Sequence, residues 1–218
     1  MGKEFKSEVF EQLATAEGNL QGEESEAGVQ RTGLSNSANS VSWGCGIPVR
    51  LAPFRPAQST SPEWDGKYTH IKSKIDSGAL FGVCGGRGSG KSQLGVCSMG
   101  YVATVLFKKC EYHKSQNIFL SIREAMRTEG DSEKKAIERF CRPFLLVIDA
   151  YEVRSDSDFE NRMMDHIIDM RYDSMKSTII ISNDNIESFV KFLGPSTVDR
   201  MAQTGGVIEL KNKSFRRI

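Results

Sequence analysis

No apolar run in these 218 residues approaches the roughly 20 needed to cross a bilayer, so no membrane-embedded role is expected. The five cysteines (45, 84, 97, 110 and 141) are odd in number and never form a C-x-x-C pair. That argues against both a disulfide framework and a zinc site, and it fits a reducing cytoplasm. Charge of neither sign dominates: 29 lysines and arginines face 28 aspartates and glutamates, so any contact with nucleic acid has to be local. No secretory signal is expected either, since the N-terminal MGKEFKSEVFEQL is acidic and amphipathic, unlike such a signal.

Large aliphatic residues are scarce between Gln21 and Ser42, where Val29, Leu34 and Val41 stand among Gly, Glu, Ser, Asn and Gln. Such a stretch cannot bury enough apolar surface to fold and reads as a flexible linker. Before it, Phe5, Val9 and Leu13 recur at helical spacing beside Phe10, so residues 3–16 are expected to form a short amphipathic helix. That helix is either a frayed terminus or a docking element that orders in a partner's groove. The pattern becomes globular from about Gly46, which divides the chain into residues 1–45, helix and linker, and residues 46–218, one folded domain.

Within the second part, strand-like and helix-like segments alternate. Asp65 is expected to cap a helix through Tyr68, Ile71 and Ile75 that stops at Gly78. Strands are expected over Ala79–Cys84, Asn117–Leu120 (NIFL), Phe144–Ala150, Ser177–Ser182 and Val207–Leu210. Helices are expected over Lys91–Lys109, near Ile122–Arg127, and over Glu133–Phe140, Phe159–Tyr172, Ile186–Phe192 and Val198–Met201. Alternation of this kind implies a parallel, helix-covered sheet of the α/β class.

Gly85–Ser92 reads GGRGSGKS, a complete match to the phosphate-loop pattern G-x-x-x-x-G-K-[ST], with a strand before it and a helix after it. Its glycines let successive N–H groups turn inward onto a polyphosphate, and the following helix adds its positive end. Gly85, Gly86, Arg87, Gly88, Ser89, Gly90, Lys91, Ser92 and Gln93 are the expected nucleotide-binding set. Lys91 is placed to reach the β- and γ-phosphates and Ser92 to hold Mg²⁺, with ATP or GTP as the nucleotide.

The apolar run FLLVID ends in Asp149, which is the form of a Walker B strand whose carboxylate meets the metal opposite Ser92. Many such enzymes carry a water-activating Glu next, but Ala150 stands there. Glu152, two residues on, shares the side-chain parity of Ala150 if the extended backbone persists, and so is the candidate substitute. Ser182 and Asn183 close the next strand, either as a polar pair near the γ-phosphate or as turn residues. Arg200 in TVDRM is either a surface charge or a finger that reaches a neighbouring subunit's nucleotide.

Taken together, GGRGSGKS, FLLVIDAYEV, FENRMMDHIIDMRYDSMKS, TIIISN and FLGPSTVDRM followed by GGVIELKNKSFRR resemble the AAA+ ATPase domain of DnaC-like replicative helicase loaders, the phage-encoded ones in particular. The transposition helper IstB is a near relative. The resemblance runs from about Gly46 to Arg217 and implies a five-stranded AAA+ P-loop core without a substantial C-terminal lid, with ATP and Mg²⁺ at a subunit interface. It also implies self-association into a ring or spiral, a replicative DNA helicase as partner, single-stranded DNA as the place of delivery, and a cytoplasmic setting. Transferred by motif, Lys91 and Ser92 are Walker A, Asp149 is Walker B, Asn183 is sensor-like, Arg200 is the arginine finger and Arg216 is a further sensor-like base. Ala150 departs from the family pattern and implies slow hydrolysis.

The basic residues Lys108, Lys109, Arg123, Arg127 and those from Lys211 to Arg217 are the candidates for contacting DNA. Three functions remain open on these grounds: a helicase loader, an IstB-like helper of a transposase, and a non-hydrolysing adaptor gated by ATP. A small-molecule kinase is disfavoured because no arginine-rich lid segment follows the core.

Overall fold

The computed structural model describes residues 46–51, 61–129, 132–153, 155, 157–211 and 214–215. The expected N-terminal helix at 3–16, the linker and Arg216 lie outside the described residues. Five parallel strands make one sheet, β1 (Leu80–Gly85), β2 (Cys110–Lys114), β3 (Leu145–Asp149), β4 (Ser177–Ile181) and β5 (Gly206–Leu210), in the order β2-β3-β4-β1-β5. The expected α/β class, parallel sheet and strand number are therefore all met. The three central strands are buried along nearly their whole length, which is why LFGVCG, LLVID and STIII read as continuous runs and not as alternating ones.

On one face lie α1 (Pro62–Lys74) and α2 (Lys91–Thr104). They bury Trp64, Tyr68, Ile71, Leu94, Met99 and Val102 against Phe81, Val83, Val147 and Ile181. Gly95 permits this approach, because an added Cβ would stand 3.0 Å from a Val147 methyl and 3.1 Å from Ile181 Cδ1. The helix tolerates the poor propensity of glycine there because close packing on the sheet requires it.

The remaining helices are α3 (Ser115–Ala125), α4 (Glu133–Cys141), α5 (Asp158–Asp173), α6 (Ile186–Leu193) and α7 (Pro195–Gln203). On the opposite face from α2, Phe189 of α6 and Met201 of α7 close over Gly82, whose added Cβ would meet them at 2.8 and 3.1 Å.

Three expectations about the elements need correction. The NIFL segment, expected as a strand, lies inside α3. Ile118, Ile122 and Ala125 recur at helical spacing with Phe119 and are buried, while Leu120 is exposed, so the short apolar run is one face of an amphipathic helix. The second strand is instead CEYHK. It sits at the sheet edge, where only Cys110 and Tyr112 are buried, and a mostly polar sequence suffices there.

The first core helix begins three residues before Asp65. Ser61 is its N-cap, accepting from Trp64 N at 3.3 Å, with Pro62 at the first helical position. Gly78 does lie in the left-handed region as expected, after a short 3₁₀ turn at Ile75–Ser77.

The helix after the phosphate loop stops at Thr104, not Lys109. Phe107 (φ 54°) turns the chain so that Cys110 can pair with Leu145.

Arg171 of α5 is fully buried. Its guanidinium donates to Thr178 Oγ1 (2.8 Å) and to the carbonyls of Phe140 (2.9 Å), Pro143 (3.0 Å), Phe144 and Ser177. One side chain thus ties the end of α4 and the start of β4 together. Burial pulls its pKa down to about 10, which still leaves it charged at neutral pH.

Candidate nucleotide site

All five strands run in one direction, so their C-terminal ends form one edge, which is the usual place for a ligand in an open parallel sheet. A cleft of about 720 Å³ opens there, within the size range of small-molecule sites. β1 leads into the phosphate loop at Gly85 (φ 133°), where an added Cβ would come within 2.3 Å of the Leu210 carbonyl oxygen. Gly90 (φ 94°) is the N-cap of α2. Any side chain there would be strained and would press on Trp64. The loop is closed on itself, Ser89 N donating to Gly86 O at 3.3 Å and Lys91 Nζ donating to Gly85 O and Gly86 O, both at 2.7 Å.

Ser92, on the first turn of α2, donates to Asp149 Oδ2 at 3.0 Å, so the two expected metal residues meet across the sheet. The other carboxylate oxygen of Asp149 accepts the Ala150 N–H at 2.8 Å. Ala150 (φ 56°) leaves the extended conformation, and Tyr151–Val153 forms a 3₁₀ turn. The continued strand that would have given Glu152 its parity with Ala150 is therefore absent. Glu152 nevertheless lines the cleft, because the turn swings it toward β4, where its carboxylate accepts from Asn183 N (3.2 Å) and Asn183 Nδ2 (2.5 Å). Ser182 is drawn into the turn and donates to Asp184 Oδ2 at 3.0 Å.

Arg200 lies apart from this cleft. Its guanidinium is 2.6 Å from Asp169 Oδ1 and 2.9 Å from Ser196 Oγ, over the ring of Tyr172. Among the candidate DNA contacts, Lys108 is paired with Asp76, Arg123 with Glu160 at 3.1 Å, and Lys211 with Glu209 at 3.3 Å.

Two residues that line the cleft, Trp64 and Phe215, and one that bonds to Asp149, Tyr112, were given no role from the sequence. Tyr112 of β2 donates to Asp149 Oδ2, and burial followed by the Asp149 charge pushes its phenol pKa up, so the hydroxyl keeps its proton at neutral pH. Assigning β2 correctly would have exposed it: Tyr112 pairs with Val147 and Lys114 with Asp149, which sets Tyr112 on the same face as the aspartate, two residues earlier. Trp64 Nε1 donates to Gly90 O at 3.2 Å, and Phe215 N donates to Gly88 O at 3.0 Å, so α1 and the segment after β5 both brace the loop. These contacts are long-range and have no periodic signature.

The residues present suit a nucleoside triphosphate and a divalent cation. Ser89 Oγ and Gln93 Oε1 are buried without a hydrogen-bond partner among the described residues, beside a loop built to turn N–H groups toward an anion. Arg50, Arg87, Lys91 and Lys114 line the cleft against the two carboxylates Asp149 and Glu152, an excess of positive charge that a triphosphate would balance. A hydroxyl facing a carboxylate is the hard oxygen donor set that Mg²⁺ prefers.

Residues 73–218 match the profile of a family described as IstB-like ATP binding protein. The chain is 32% identical over 85 residues to the replicative helicase loader DnaC of Escherichia coli K12, covering 39% of this chain and 35% of that protein. It is 31% identical over 87 residues to an uncharacterized E. coli K12 protein, YdaV, again covering 35% of it. The matched segment thus spans about a third of the length of these curated relatives.

Among solved structures, a DnaC helicase loader superposes with a TM-score of 0.61 at 19% identity over 74% of this chain and 96% of that one. AMPPCP-bound DnaA from Aquifex aeolicus superposes with a TM-score of 0.60 at 18% identity over 75% of this chain and 51% of that one. At these identities the likeness is one of fold, and the fold is that of AAA+ P-loop domains.

Proposed function

The chain belongs to the IstB-like ATP-binding protein family, and from that premise we propose that it is an ATP-dependent helicase loader, one that assembles on a replicative DNA helicase and delivers it to single-stranded DNA. The observation that carries the reading is the Ser92–Asp149 contact beside Lys91, a complete Walker A and Walker B pair, in a chain similar to a helicase loader. Lys91 exchanges its two loop carbonyls for phosphate oxygens, and the loop N–H groups orient the triphosphate. When bound, Mg²⁺ neutralises charge on the transferring phosphate. Ser92 and Asp149 are the residues that would hold it.

Glu152 takes the place of the missing strand-end glutamate and orients the attacking water once Asn183 releases part of its hold. Turnover is slow because that carboxylate starts out bonded to the sensor-like asparagine. Arg200 acts in trans, leaving Asp169 for the nucleotide of the adjacent subunit in a ring or spiral. Residues 1–45 hold the helicase, and Arg216 adds a sensor-like charge. Of the candidate DNA-contacting cations, the exposed Lys109 and Arg127 are offered to the strand, while Lys108 and Arg123 serve intramolecular pairs.

A second reading, favoured by the family description, is an IstB-like helper ATPase that regulates a transposase. Affinity capture of the full chain from its own cells, with ATP and Mg²⁺ present, decides between them. Co-purification of a replicative helicase that depends on Lys91 supports loading. Capture of a transposase instead overturns it.

A further inference from the structure

We propose that Tyr112 is a positioning residue for the metal half of the nucleotide site, its hydroxyl holding the Asp149 carboxylate in place beside Ser92. The inference deepens the nucleotide-site reading and rests on it.

Three donors meet Asp149, and they differ in how firmly each is held. Oδ1 accepts from the backbone N–H of Ala150 at 2.8 Å. Oδ2 accepts from Ser92 at 3.0 Å and from Tyr112. Ser92 is the residue that a P-loop site presents to a cation, and its hydroxyl could do so through a lone pair while its proton stays on Asp149. The terminal torsion of a carboxylate is broad, and the Ala150 N–H and the Ser92 hydroxyl that hold it come from element ends, the left-handed turn after β3 and the first turn of α2. Tyr112 supplies the missing constraint from a rigid base. Its ring is buried at 2% exposure, and its strand is paired with β3 from Cys110 through Lys114, so the phenol is held independently of α2.

The same stretch grips the corner a second time. Ser115, the first residue of α3, donates to the Ala150 carbonyl at 2.7 Å and so stabilises the left-handed turn beyond the aspartate. One short segment, Tyr112–Ser115, thus fixes both the carboxylate and the backbone that follows it, although no residue in it belongs to a Walker motif. Groups that hydrogen-bond a metal-binding carboxylate typically contribute 10- to 100-fold to metal affinity.

The test is Tyr112→Phe in the full chain, which removes one oxygen and keeps the ring. Binding of a fluorescent ATP analogue is measured in EDTA and across a Mg²⁺ titration, and Mn²⁺ binding to the nucleotide-loaded protein is read directly by electron paramagnetic resonance. The expected result is an EDTA affinity within about twofold of wild type and at least a tenfold higher Mg²⁺ or Mn²⁺ concentration at half-saturation. An unchanged metal midpoint, or an equal loss with and without metal, overturns the proposal. A variant that no longer folds overturns it too, in favour of a packing role. If nucleotide binding by the wild-type chain does not respond to Mg²⁺ at all, the metal–nucleotide reading of the cleft fails first, and the role of Tyr112 falls with it.

Discussion

Asn183 donates twice to Glu152, from its backbone N–H at 3.2 Å and from its side-chain amide at 2.5 Å, so the acidic residue two positions beyond Ala150 is tied to the loop after β4. A strand-end glutamate would be held by its own strand; this one is held by a different loop and depends on that loop's position. Glu152→Gln keeps the shape but removes the base, and turnover is expected to fall about a hundredfold with nucleotide affinity changed no more than about threefold. Steady-state hydrolysis together with equilibrium ATP binding checks this. Turnover equal to wild type would mark Glu152 as a loop charge that takes no part in hydrolysis.

Arg200 is 2.6 Å from Asp169 in its own chain, outside the cleft. If it serves a neighbour, its loss harms subunits that are themselves intact. Arg200→Ala protomers mixed into wild type at increasing fractions are expected to depress ATPase activity more steeply than dilution predicts. Activity strictly proportional to the wild-type fraction would assign the arginine to the Asp169 pair alone.

Arg171 satisfies five acceptors with one guanidinium in the buried layer between α4 and β4. Arg171→Met would leave those carbonyls unpaired and is expected to cost about 4 kcal/mol, lowering Tm by roughly 10 °C. Arg171→Lys should recover little of this, because an ammonium carries three donors and lacks the planar fork. Thermal denaturation of both variants without nucleotide settles the point. A lysine variant close to wild type would show that charge, not geometry, holds the layer.

Burial pushes the Cys84 and Cys97 thiols up to about 12, so essentially no thiolate is present at pH 8 in the folded chain. Of the described cysteines, Cys141 is the partly exposed one. A thiol-reactive chromophore at pH 8 should therefore modify Cys141 ahead of Cys84, Cys97 and Cys110, which should react only after denaturant is added. Peptide mapping of the labelled protein reads this directly, and early modification of Cys84 would mean that β1 opens on the timescale of labelling.

The parts of the site that could be read without coordinates are those in which neighbours in sequence are neighbours in space. The phosphate loop is a local turn between a strand and a helix, and its glycines, its lysine and its serine follow from local sterics and chemistry. Asp149 was legible for a similar reason, since five apolar residues bury a strand and its last position must reach the edge. The second strand was not legible. At the sheet edge CEYHK needs only two buried side chains, whereas NIFL, more apolar, has its face covered by packing as a helix.

What the chain order alone dictated was therefore the α/β class, the parallel sheet, the phosphate loop and the place of Asp149 at a strand end, because periodicity, turn chemistry and strand burial are properties of short segments. What required the folded chain was the left-handed turn at Ala150, the capture of Glu152 by Asn183, the hydroxyl of Tyr112 on Asp149, and the bracing of the loop by Trp64 and Phe215. Each of these joins residues from separate elements. Their geometry depends on strand order and register, which are fixed by the packing of the whole sheet and leave no trace in local sequence.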